Sequence, residues 1–168
     1  MKKFSTKIIA RAGVIAALYV VFSLLTYPIA GGNIQFRLSE CLTLLPLFFP
    51  EAAAGLFVGC MLSNLILGCA VYDILLGSVV TLLAAIGTLF SGRIIKNFAL
   101  RIFVGGLFPV LLNAFLLPVI WYLAAGSLEY IYIVQAAFLI ASQTLSVYVV
   151  GTPVCIFIQK HKDKFFFN

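Results

Sequence analysis

IFVGGLFPVLLNAFLLPVIWYLAA, the stretch Ile102–Ala125, holds no Asp, Glu, Lys or Arg. As a helix rising 1.5 Å per residue it would extend ~36 Å, more than the ~30 Å hydrocarbon core of a bilayer. Its apolar residues keep no single face, so a water-soluble surface helix is excluded. The flanks agree. Arg93, Lys96 and Arg101 precede the stretch, and Trp121 and Tyr122 mark its far end, as basic loops and interfacial aromatics do in membrane proteins.

The rest of the chain reads the same way. Of its 168 residues 64% are hydrophobic and only 10% charged, and the mean hydropathy is +1.18. A soluble domain is roughly 45–50% apolar and about 25% charged. One small core could not hide the excess, so the second solvent must be lipid. A soluble enzyme, a nucleic-acid-binding domain and a disordered chain are thereby excluded.

Beyond Ile102–Ala125, the apolar stretches predict five further spans. They run over about 8–27, 38–49 (a short one), 52–71, 74–95 and 128–158, the last kinked at Pro153. The expected fold is all-α: one integral membrane domain, 1–168, of six transmembrane helices. The basic residues fall into three clusters: Lys2, Lys3, Lys7 and Arg11; Arg93, Lys96 and Arg101; Lys160, Lys162 and Lys164. An inside N-terminus places all three in the cytoplasm and leaves Arg37 alone outside, so both termini are expected to be cytoplasmic. Tyr27, Tyr72, Trp121, Tyr122, Tyr130 and Tyr132 then form an outer aromatic belt. This clustering explains the net charge of +6 without nucleic acid.

Cys41, Cys60, Cys69 and Cys155 show no C-x-x-C spacing and read as small buried hydrophobes. His161 is the only histidine, so no metal signature and no cofactor are expected. The N-terminal apolar run is too long for a signal-peptide core and is expected to remain as the first span.

The polar residues that survive in so apolar a chain are the functional candidates. Arg37 and Glu40 stand where the first outer loop enters the short second span, Asp73 opens the fourth and Glu129 the sixth. Carboxylates at helix N-termini also act as caps, the reading favoured for Glu129. Gln35, Arg37 and Glu40 beside Gly31-Gly32 suggest a ligand lid, the alternatives being a plain loop and, for Arg37 with Glu40, a surface ion pair. Asn64, Asn113 and Gln143 lie within three different spans. They either bond between helices or enclose a polar cavity, where amides would read a ligand with a patterned edge such as a purine-like base. Small-residue stripes permit close helix approach: Gly55, Gly59 and Ser63; Gly77, Thr81, Ala84 and Thr88; and Ala12 with Ala16, beside Gly13. The Ala12 stripe could also dock another protein's helix.

Gln35-Phe36-Arg37-Leu38-Ser39-Glu40, followed by Leu44-Leu45-Pro46, Gly59-Cys60 with Asn64, and Asp73 with Gly77 and Thr81-Leu82-Leu83, resembles the QueT family. That family comprises queuosine-precursor uptake proteins, the substrate-binding S components of energy-coupling factor (ECF) transporters. The likeness runs over most of the chain and is densest from Gln35 to Ala85. Cys41 departs from the alanine expected there.

The resemblance implies an S-component-like six-helix bundle in the cell membrane, with a site near the outer face gated by the loop 28–38. It implies a 7-deazaguanine ligand such as queuine or its precursors. Its partners would be a transmembrane coupling subunit, docked through Ala12-x-x-x-Ala16, and two ATPase subunits. In this reading Glu40 accepts two hydrogen bonds from the guanine-like edge, and Asp73 pairs with an aminomethyl group or diol hydroxyls; the two roles could be exchanged. Asn64, Asn113 and Gln143 read other edges, Tyr72 or Trp121 stacks on the ring, and Arg37 orders Glu40. The alternative is a stand-alone carrier or channel for a small polar solute. Against it stand the absence of an internal inverted repeat and of a carboxylate near the bilayer centre. A membrane enzyme lacks a His-based relay or an evident base.

Overall fold

The computed structural model describes residues 6–30, 36–128 and 130–161. Among them every regular element is helical: α1 (Thr6–Ala30), a 3-10 helix (Leu38–Leu47), α2 (Ala52–Ile66), α3 (Asp73–Ile94), α4 (Phe98–Ala125) and α5 (Tyr132–Lys160). They follow the six predicted apolar stretches in order, but not in kind. Four helices, α1, α3, α4 and α5, are long and apolar enough to cross a membrane. The 3-10 helix has ten residues, ~20 Å at its 2.0 Å rise. The 15 residues of α2 make ~22 Å. Neither matches a ~30 Å hydrocarbon core by itself.

The predicted second span is therefore corrected to a buried central element. Nine of its ten residues, Ser39 to Leu47, are buried, and it packs against α1, α3, α4 and α5. Backbone approaches it closely. A Cβ on Gly92 of α3 would lie 3.0 Å from the Leu47 carbonyl oxygen, and one on Gly151 of α5 would lie 2.9 Å from that of Cys41. Burial among long helices, rather than contact with lipid, explains its apolar sequence.

The third stretch also ends sooner than predicted. Gly68 takes φ +68°, and the Cys69 N–H reaches back to the Asn64 carbonyl at 3.0 Å. A left-handed glycine with that six-to-one bond closes α2. In α5 the irregularity precedes the proline blamed for it: Leu145–Val150 is a π-helical segment, followed by Gly151 and Pro153 in regular helix. The wide turn takes up the register that proline, with no N–H, disrupts.

The first span is peripheral. One stripe of α1, Ile15, Ala16, Tyr19, Ser23 and Thr26, is buried, while Ile9, Val14, Val21 and Leu25 are exposed. The stripe meets α2 across small residues. A Cβ on Gly55 would lie 2.6 Å from the Ala12 carbonyl oxygen, and one on Gly59 would lie 3.0 Å from that of Ala16. Ala12 and Ala16 thus serve an intramolecular contact with α2. Gly13 is exposed, with nothing within 4 Å of an added Cβ.

Candidate functional site

Glu40 occupies the first turn of the 3-10 helix and is only 3% exposed. Its carboxylate is held from two sides. The Tyr19 hydroxyl of α1 donates to Oε1 at 2.7 Å, and the Asn113 amide of α4 donates to Oε2 at 3.3 Å. Burying a carboxylate is tolerable only with such partners. Two donors leave lone pairs free, since a carboxylate offers about four acceptor positions.

Arg37 lies immediately before the 3-10 helix. Its Nη1 donates to Asn64 Oδ1 at 3.4 Å. Among the described residues the one ion pair within 4 Å is Arg11–Glu51, so Arg37 orders Asn64 rather than pairing with Glu40, contrary to expectation. Asn64 is fixed by the turn that ends α2, because its own carbonyl accepts from Cys69. Its Nδ2 donates to the Asp73 carbonyl at 3.1 Å, tying α2 to the start of α3. Asp73 has Arg37 and the Trp121 indole as its electrostatic neighbours.

These groups surround one cavity, lined by Arg37, Glu40, Cys60, Asn64, Asp73, Gly77, Thr81, Asn113, Leu117 and Trp121. An adjoining space shares Arg37, Asp73 and Trp121 and adds Ser23, Tyr27, Leu67 and Cys69. Two carboxylates and one guanidinium leave the walls with a net charge of −1. The two carboxylates are acceptors, so the cavity suits a small ligand with N–H or O–H groups to donate.

Of the predicted site residues, Glu40, Asp73, Asn64, Arg37, Asn113 and Trp121 meet at this cavity. Tyr72 does not line it and is 51% exposed, so the aromatic wall is Trp121. Gln143 is buried but also outside the lining, and its Oε1 has no hydrogen-bond partner among the described residues. Gln35 and Glu129 lie outside the described residues, as does part of the 28–38 loop.

Sequence reasoning missed Tyr19, which is fully buried. The available signal was a phenol in the middle of an apolar span, whose hydroxyl needs a partner when buried. Cys60 and Thr81 were noticed only as motif and stripe; here the Thr81 hydroxyl donates to Cys60 Sγ at 3.4 Å on the cavity wall. Tyr19→Phe removes one donor from a buried carboxylate. It is expected to cost about 1–3 kcal/mol, read as a lower thermal midpoint of the purified protein, with Tyr19→Leu lower still.

No curated protein and no solved structure matches the chain. The model of the QueT transporter family matches residues 9–160, a span that takes in all the cavity-lining residues, most of α1 and the whole of α3, α4 and α5. A match over that much of the sequence makes the chain a member of the QueT transporter family.

Proposed function

We propose that this membrane transporter protein is the substrate-binding S component of an ECF-type importer, and that its ligand is a 7-deazaguanine queuosine precursor. The observation that carries the reading is the convergence of Glu40 and Arg37, at the start of the 3-10 helix, with Asp73, at the start of α3, on one cavity. Glu40, already held by Tyr19 and Asn113, accepts from the N1–H and exocyclic amine of the guanine-like edge. Asp73 takes the cationic aminomethyl group, which the net negative walls favour, and Trp121 stacks on the ring. Asn64, oriented by Arg37, reads a further edge. The segment 28–38 joins α1 to the 3-10 helix beside Arg37 and is the gate.

Energy comes from elsewhere. Two ATPase subunits act through a coupling subunit in the plasma membrane, and this chain hydrolyses nothing. The coupling subunit's seat is the exposed side of α1, at Gly13 and in the apolar groove that Ala10, Val14 and Leu18 form with Val154 and Ile158 of α5. In the membrane all six helices form one bundle, with the basic ends cytoplasmic.

Calorimetry on the purified protein with queuine, its aminomethyl precursor and guanine tests the reading. Selective binding of a 7-deazaguanine with no ATPase present is the expected result. A folded sample that binds none of the three removes the substrate. Ion-gradient-driven uptake by the chain alone in liposomes would make it a stand-alone carrier.

A further inference from the structure

A second cleft lies at the opposite, basic end of the bundle. It lies between α4 and α5, and its walls are Phe98, Ala99, Ile102 and Phe103 on one side and Tyr148, Thr152 and Ile156 on the other. The upper end is closed by the Tyr148 ring, which packs so tightly on Gly106 that an added Cβ would fall 2.7 Å from it. The Tyr148 hydroxyl donates to the Phe103 carbonyl at 2.6 Å, which pins the two helices there.

The lower mouth is cationic. On α5, Thr152 and Ile156 are walls, and the same four-residue row continues to the exposed Lys160. On the α4 side Lys96 precedes the wall residue Phe98. Arg101 lies with its guanidinium 5.5 Å from the ring centres of both Phe48 and Phe98. Stacking holds that group in place but uses none of its N–H donors, and Arg101 Nε is buried with no hydrogen-bond partner. Of the described carboxylates, Glu40 and Asp73 line the other cavity and Glu51 pairs with Arg11. No described carboxylate offsets Lys96, Arg101 and Lys160.

We infer that this cleft is a site for one anionic phospholipid, its phosphate held by Arg101 between Lys96 and Lys160 and the upper part of an acyl chain in the slot below Tyr148. The two halves of the cleft match the two halves of such a molecule. The slot is lined mainly by apolar side chains, which disfavours a polar solute. The mouth carries uncompensated cations at a bundle end, where a headgroup would lie. A zwitterionic lipid fills the slot equally well but leaves the cations with a ligand of no net charge.

The test uses the purified full chain in detergent, with phosphatidylglycerol or phosphatidylcholine added and the thermal midpoint followed. Phosphatidylglycerol is expected to raise the midpoint of the wild type by several degrees, and phosphatidylcholine by much less. Arg101→Gln should lose most of that difference. Since Arg101 also stacks on two rings, Thr152→Trp provides a second variant that fills the slot and keeps every cation. It should lower retention of phosphatidylglycerol through purification, counted by native mass spectrometry, from about one per chain to near none. Equal stabilisation by both lipids, or undiminished retention in Thr152→Trp, overturns the site. None of these readings depends on which solute the other cavity binds.

Discussion

Glu40→Gln is expected to weaken binding of the proposed 7-deazaguanine ligand at least a hundredfold, ~2.7 kcal/mol, with little change in the ligand-free thermal midpoint. The two effects separate because the carboxylate has two duties. Toward the protein it accepts from Tyr19 and Asn113, and a glutamine can still accept from Tyr19 through its carbonyl. Asn113 can turn its amide to present oxygen to the new NH2. Toward the ligand no such exchange is possible. A guanine-like edge offers two parallel donors, and glutamine meets one of them with a donor of its own. Truncating one side of a buried, charge-assisted pair costs about 2–5 kcal/mol. Calorimetry with the aminomethyl precursor reads the loss; affinity within threefold of the wild type would sink the assignment of Glu40.

Gly59→Val should be the most damaging substitution between α1 and α2, lowering stability by about 3 kcal/mol. A Cβ there would lie 2.8 Å from Tyr19 Cβ and 3.1 Å from Ala16 Cα. Neither is the far end of a flexible side chain, so the whole of α1 must move. Because Tyr19 rides on α1, the displacement also draws its hydroxyl from Glu40, and affinity should fall together with stability. Gly13→Ala supplies the contrast on the same helix. Nothing lies within 4 Å of its added Cβ, and helix propensity favours alanine by roughly 1 kcal/mol. Its midpoint should hold or rise. Thermal unfolding of both variants in one detergent is the measurement, and a stable Gly59→Val protein would refute the close approach.

The amino-acid order alone was enough to place the chain in lipid, because that conclusion rests on sums. Apolar content over windows of about 20 residues needs no knowledge of which helix touches which. For the same reason Ile102–Ala125 reads directly as the core of α4, and the breaks near Pro50 and Lys96 appear where the structure has them. The polar candidates were legible because Glu40, Asp73, Asn64 and Asn113 interrupt otherwise apolar runs, and a polar group in that setting must have a partner or a purpose.

What remained hidden depends on which residues face each other. Leu38–Leu47 is as apolar as a lipid-facing segment, and hydropathy does not distinguish burial against protein from burial against lipid. Only its position among α1, α3, α4 and α5 makes it the centre of the bundle. Ala12 and Ala16 look the same whether they meet α2 or another protein, until Gly55 and Gly59 are seen opposite them. Tyr19 is one aromatic among 24 Phe, Tyr and Trp residues, and its link to Glu40 joins positions 21 apart in sequence. Asn113 reaches the same carboxylate across 73 residues. Partition into a membrane is additive along a chain, whereas a hydrogen-bonded site is a matter of geometry between segments that the fold brings together.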